Sequence, residues 1–153
     1  MKKFLFAGAI TLLLVVYLTG CAPPPVGDVV LPTVSSNSPL ASATEVALAA
    51  NVTATFSEAM DSATLSASTF TLAGPGATTV AGVVTYAGNV ATFNPTASLA
   101  GSTLYTATIT TGAEDLAGNA LASNHSWTFT TVEAPALGPD AVLLGSAENY
   151  VIL

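Results

Sequence analysis

Glu114, Asp115 and Asn119 stand close together and all carry side-chain oxygens, the ligand type that Ca²⁺ prefers. Their spacing departs from the regular Asp-x-Asp-x-Asp-Gly calcium loop. With Gly118 between them, Asp115 and Asn119 suit a turn in which their side chains bond nearby backbone. The turn is the expected role and calcium the alternative. Glu58 and Asp61 form a second acidic pair of the same kind. His125 is the only histidine, and its neighbour Ser126 falls on the opposite face of a strand, so the two do not make a base and a nucleophile. His125 is expected at the surface of a strand. A single His and a single Cys are too few ligands for a structural zinc site. Paired carboxylates for glycoside hydrolysis need a cleft to hold them about 5 to 9.5 Å apart, which a small β-domain rarely offers. No catalytic residue and no cofactor is expected, and the chain reads as a non-enzyme.

Charge narrows the choice further. The chain has 153 residues, two Lys+Arg against nine Asp+Glu, and a formal net charge of −7. Both cations, Lys2 and Lys3, lie at the N-terminus, so everything after them carries all the acids and no permanent positive charge. Nucleic-acid binding relies on cations that neutralise phosphates, and no nucleic-acid partner is expected. Lysine Schiff bases, arginine clamps and side-chain ion pairs with a permanent cation are excluded from the rest of the chain for the same reason.

Met1-Lys2-Lys3 is followed by an apolar run from Phe4 to Leu18. That run is short for a membrane span, which takes roughly 20 residues, and it fits a secretory signal. Leu18-Thr19-Gly20-Cys21 resembles the lipobox of bacterial lipoproteins. The resemblance implies signal-peptidase recognition through Leu18, Thr19 and Gly20, and a lipid (palmitate among its acyl chains) on Cys21. The membrane is then a partner through that N-terminal lipid. A lone Cys forms no internal disulfide, and two or more acyl chains give the stable anchoring that one does not. By resemblance to proteobacterial sorting, Ala22 after the Cys implies the outer membrane or cell surface.

The elements that would position these side chains are strands. Val52–Phe56 alternates with Val52, Ala54 and Phe56 on one face. Thr69–Leu72, Leu104–Thr111 and Ser126–Thr131 alternate likewise, with Phe70, Leu72, Tyr105, Ala107, Ile109, Trp127 and Phe129 inward. Val80–Tyr86 and Val90–Phe93 flank Ala87-Gly88-Asn89, a hairpin signal. Asp61–Leu65 suits one helical turn capped by Asp61 or Ser62. The Thr-x-Thr runs (Thr69/Thr71, Thr106/Thr108/Thr110 and Thr128/Thr130) resemble flat ice-binding arrays, but ordinary strand propensity on a solvent face accounts for them. Strands at this spacing predict an all-β, antiparallel sandwich of about seven strands.

Residues 33–131 resemble the bacterial Ig-like domain of S-layer and other surface proteins. The matching segments run in order: Ser38-Pro39, opening the first strand; Val52 to Asp61 as a strand and turn; Ala91-Thr92-Phe93-Asn94-Pro95; Leu99 to Tyr105; Asp115-Leu116-Ala117-Gly118-Asn119; and Trp127 to Thr131. Leu99-x-Gly101 before Tyr105 resembles a tyrosine corner, whose hydroxyl bonds upstream backbone. The expected organisation is a signal peptide at 1–20, a lipidated Cys and Pro-rich tether at 21–32, the Ig-like domain at 33–131, a linker at 132–140, and a last segment at 141–153. That last segment, from Ala141 to Leu153, is similar to the opening of the ice-binding-protein-like β-solenoid family. The expected function is a surface-anchored lipoprotein whose Ig-like domain is a structural spacer or interaction module. The alternative is the N-terminal part of an ice-binding or adhesion protein that meets a surface ligand, glycan or ice through a domain beyond Leu153.

Overall fold

The computed structural model describes residues 27–135. Cys21 with its preceding Leu18, Thr19 and Gly20, and the segment 141–153, lie outside the described residues. Eight strands form: β1 Val34–Ser38, β2 Ala43–Val46, β3 Val52–Phe56, β4 Phe70–Ala73, β5 Gly82–Ala87, β6 Val90–Pro95, β7 Leu104–Ile109 and β8 His125–Thr131. One sheet runs β1-β3-β6-β5 and the other β2-β8-β7-β4. β3, β4, β6, β7 and β8 bury alternate residues, because successive side chains on a pleated strand point to opposite faces. β3 shows the pattern most plainly, with Val52, Ala54 and Phe56 buried and the two threonines between them partly exposed.

The sandwich is as expected, with one strand more than the sequence pattern suggests. The extra strand comes from the N-terminal segment. Ser38-Pro39 closes β1 rather than opening it. The chain then crosses to the second sheet, where β2 pairs parallel to β8. Polar residues fill β1 (Val-Ser-Ser-Asn-Ser), so no apolar alternation marks it. Asp61–Leu65 is a turn rather than a helix: Thr64 N–H donates to Asp61 O at 3.0 Å, and Ala63 N–H to Asp61 Oδ1 at 2.9 Å.

The core lies between the sheets. Phe70 of β4 meets Phe93 of β6 across the sandwich at 5.7 Å between ring centroids, and Trp127 of β8 at 6.0 Å. Tyr105 stacks on Phe129 at 5.8 Å. Small residues sit opposite large ones, as with Ala107 paired to Trp127. A Cβ on Gly82 would overlap the Phe93 ring and the Asn94 carbonyl, so β5 crosses that ring only with glycine there. The β5–β6 hairpin turns through Gly88 and Asn89, both at positive φ (55° and 65°), the type I′ geometry that suits the twist of paired strands.

The two ends of the sandwich differ. At one end lie the Gly88-Asn89 turn, the 57–69 and 110–124 loops, and the entering chain, whose Thr33 O accepts from Ser57 N–H at 2.9 Å. At the other end Tyr105 Oη accepts from Ala100 N–H at 2.9 Å, which is the tyrosine corner. Thr131 Oγ1 donates to Ala100 O at 2.6 Å and accepts from Thr103 N–H at 3.0 Å. Val132 N–H, on the departing chain, donates to Val46 O at 2.8 Å. The described chain therefore enters at one end and leaves at the other.

Tyr105→Phe leaves the Ala100 N–H without its acceptor. We expect urea denaturation to show a loss of about 1–3 kcal/mol at an unchanged m-value. A stability equal to that of the native sequence would contradict the role given to the hydroxyl.

Candidate functional site

The 110–124 loop is organised by Asp115, which is 3% exposed. Its Oδ1 accepts from the backbone N–H groups of Ala117 and Asn119, both at 2.8 Å, and its Oδ2 accepts from Asn119 Nδ2 at 2.8 Å. The backbone closes the same loop, with Asp115 N–H donating to Asn119 O at 2.9 Å. Gly118 sits at φ 88°, a left-handed position that glycine occupies without strain. Asn119 Nδ2 also donates to Asp28 O at 2.9 Å, tying the entering chain to the loop. Of the segment that the Pro-rich composition assigns to a tether, Pro32 is buried in the fold and the exposed Asp28 is held to it by its carbonyl.

The three residues that the sequence groups together separate. Asp115 and Asn119 come together as expected. Glu114 does not join them: its backbone N–H donates to Thr64 Oγ1 at 3.1 Å and its carbonyl accepts from Asp61 N–H at 2.9 Å, which lock the 57–65 loop alongside. Glu58 and Asp61 also part, since Asp61 caps its own turn. Instead, carboxylate oxygens of Asp28, Glu58 and Asp115 lie within 4.8 Å of one another. Sequence spacing does not reveal this group, because Asp28 and Glu58 are far from Asp115 along the chain; the β1–β3 pairing sets Asp28 near Glu58, and the Met60–Asp115 bridge and the Asn119–Asp28 hydrogen bond bring in Asp115.

No Lys or Arg occurs in the described residues to neutralise this group. Desolvation, the negative charges of Asp28 and Asp115, and a hydrogen bond with Asp28 hold the Glu58 carboxyl above its ordinary 4.5. Asp115 goes the other way. Desolvation opposes its charge, but the hydrogen bonds from Asn119 and the backbone of 117–119 outweigh it and keep its carboxyl below 3.8. A carboxylate offers about four acceptor positions, and the loop's own donors occupy most of those on Asp115. The geometry makes Asp115 the organiser of the loop. Three convergent carboxylates also have the oxygen chemistry suited to a hard divalent cation.

His125 is half-buried rather than a plain surface residue. Its ring lies 5.5 Å from that of Trp127, and neither His125 Nε2 nor Trp127 Nε1 has a hydrogen-bond partner among the described residues. Ser126 points to the other face and bonds Thr108 at 2.8 Å, so no triad forms with His125. The threonines do align across strands (Thr71 with Thr108, and Thr106 with Thr128) on the outer face of the β2-β8-β7-β4 sheet.

A family model described as a bacterial Ig-like domain matches residues 28–131. The match begins at Asp28, the residue that Asn119 holds. No curated protein matches the chain by sequence. Among solved structures, the N-terminal part of the bacterial S-layer protein SbsC is similar at 22% identity and a TM-score of 0.52, covering 67% of this chain and 24% of that one. CopC from Methylosinus trichosporium OB3b is similar at 15% identity and a TM-score of 0.53, covering 69% of this chain and 98% of that one. A longer SbsC structure is similar at 21% identity and a TM-score of 0.51, and the match covers 69% of this chain and only 14% of that one. At these identities the likeness is one of fold.

The two acids respond to pH in opposite senses. The contribution of Asp115, whose folded value is lowered, is present above its unfolded value and is lost as pH falls through the folded one. The contribution of Glu58, whose folded value is raised, is full in acid and is lost as pH rises through the folded one. Glu58→Gln is therefore expected to stabilise near neutral pH and to gain nothing in acid. Asp115→Asn is expected to destabilise near neutral pH, by less in acid. Chemical denaturation across this range reads both, and profiles parallel to that of the native sequence would contradict the assignment.

Proposed function

We propose that this chain, which belongs to the bacterial Ig-like domain family, works as a lipid-anchored spacer that holds its C-terminal segment away from the membrane surface. The observation that carries the reading is the axial path of the described chain: entry beside Asp28 and Asn119, exit beside Val46 and Val132. A spacer needs its attachment points at opposite ends, and strands of six or seven residues at about 3.3 Å each set those ends roughly 20 Å or more apart.

Two features support a unit that resists tension. β2 runs parallel to β8, so the segment near the entry and the segment at the exit are hydrogen-bonded side by side; Ser42 N–H donates to Thr128 O at 2.7 Å. A pull along the axis loads such bonds together, in shear. The described residues contain no Lys or Arg, which leaves their surface poor in phosphate-binding chemistry and agrees with a passive module. The SbsC protein that shares the fold is a bacterial S-layer protein, which agrees with an envelope location. The finer part of the reading rests on sequence: Leu18, Thr19 and Gly20 direct processing, and Cys21 carries the lipid. The Ig-like module is non-catalytic in this reading, and any surface ligand, glycan or ice is met by a domain after residue 140.

Metabolic labelling with radioactive palmitate tests the anchor. Label is expected on the full chain and is expected to vanish in Cys21→Ser. Label that persists in the variant, or none in the native sequence, would overturn the lipid-anchored reading.

A further inference from the structure

Every open sheet has two edges, and an unpaired edge can take up another strand. Lysine is the common protection, and none is present among the described residues. Three of the four edges here have other protection. β1 carries a register shift between Val34 and Ser36 and ends at Pro39. β2 is short, irregular between Ala43 and Val46, and charged at Glu45. β4 is covered by its own chain: Val80 N–H donates to Leu72 O at 2.9 Å and Gly74 N–H to Thr78 O at 2.8 Å.

β5 has none of these. It pairs with β6 without interruption from Gly82↔Pro95 to Ala87↔Val90, and Gly82–Ala87 contains no charge and no proline. The pairing also shows which peptide groups are open. Ala81 O accepts from Thr96 N–H at 3.0 Å, so odd-numbered residues turn their peptide groups toward β6. In an antiparallel ladder this direction alternates, so Gly82, Val84 and Tyr86 turn theirs outward. Val83, 56% exposed, and Thr85 project from the outer face of the same edge.

We infer that the edge of β5, unpaired among the described residues, is a docking surface for a second copy of this chain, joined antiparallel about a two-fold axis at Val84. An edge with donors and acceptors alternating in this way is complementary to itself when reversed. Centring on Val84 pairs all three outward residues, Val84 with Val84 and Gly82 with Tyr86 of the other copy, and forms up to about six hydrogen bonds. Shifting the centre by one residue loses a pair. Charge favours the same arrangement. Asp28, Glu58, Asp61, Glu114 and Asp115 gather at the end that holds the Gly88-Asn89 turn, to which Tyr86 connects them through its hydroxyl, the acceptor for Met60 N–H at 2.8 Å. β5 and β6 carry no acid at all. Antiparallel docking sends the acidic end of one copy toward the opposite end of the other, whereas parallel docking would set the two acidic ends side by side. The joined sheets are continuous, and the outer faces place Val83 of each copy opposite Thr85 of the other.

Those two positions give the test. Facing residues in a non-hydrogen-bonded antiparallel pair have Cα atoms about 4.5 Å apart, within the range that a disulfide spans. Two full-length chains are co-expressed, one with Val83→Cys and one with Thr85→Cys, and treated with a mild oxidant. Both positions are exposed, so folding is not at stake. The mixture is expected to give a cross-linked dimer on a non-reducing gel at a yield at least tenfold above either variant alone. Cys21 is present in every arm and is controlled by the single-variant samples. Adding Val84→Pro to both chains removes an outward N–H and leaves the β5–β6 ladder its bonds; it is expected to lower the yield by tenfold or more. No dimer in the mixture, equal dimer in a single-variant sample, a cross-link to a different protein, or a yield indifferent to Val84→Pro would each overturn the inference.

Discussion

The contact between Phe70 and Phe93 is where the two sheets meet, and the fold depends on it. The described residues contain no Lys or Arg to form an ion pair and no Cys to form a disulfide. Apolar burial between the sheets remains, together with the backbone ladders that hold each sheet in shape. The same contact dictates local sequence. Gly82 is glycine because the Phe93 ring lies across it, and Phe70 is held on its other side by Trp127. Fully buried alanines (Ala54, Ala91 and Ala107) let the few large rings approach, since interiors pack to crystal-like density and tolerate few voids.

Polar groups finish the closure that the rings begin, and they do so differently at the two ends. At the exit, neutral side chains pin the crossover: the hydroxyls of Tyr105 and Thr131 both bond Ala100, one at its N–H and one at its carbonyl. At the entry, a charged side chain takes that role. Asp115 is buried without a counter-charge and is satisfied by N–H donors alone, as hydrogen bonding can achieve for a carboxylate. Asp28 and Glu58 lie close to it, which leaves one carboxyl held below its ordinary value and one held above it in the same cluster. The entry end therefore carries most of the described acids, and the charge of the module is uneven along its length.

Most of the fold was legible because alternation is a direct imprint of one-sided burial. β3, β6, β7 and β8 announce themselves through Val52, Phe93, Tyr105 and Trp127, each set in a run whose inward positions recur at every second residue. β1 and β2 were not legible, since their residues lie at sheet edges, are mostly polar, and bury little. The site was half legible. Asp115 and Asn119 are near in sequence and their turn is set by Gly118. The partners of Asp115 in space, Asp28 and Glu58, are set by strand pairing that no local pattern encodes. Thr131 carries no sign in the sequence beyond its place at the end of an alternating run, although its burial makes it a structural hydrogen-bonding centre at the exit.

In the proposed function the Ig-like module is an axial, load-sharing spacer. Single-molecule force spectroscopy tests it most directly, with the chain held on one side before Asp28 and on the other after Val132. One cooperative unfolding step is expected, because the parallel β2–β8 bonds and the β1–β3 bonds are sheared together and the shared core fails with them. That step is expected to need clearly more force than pulling from the β5–β6 turn against β1, which peels strands one bond at a time. Gradual, stepwise extension at low force from the chain ends would contradict it.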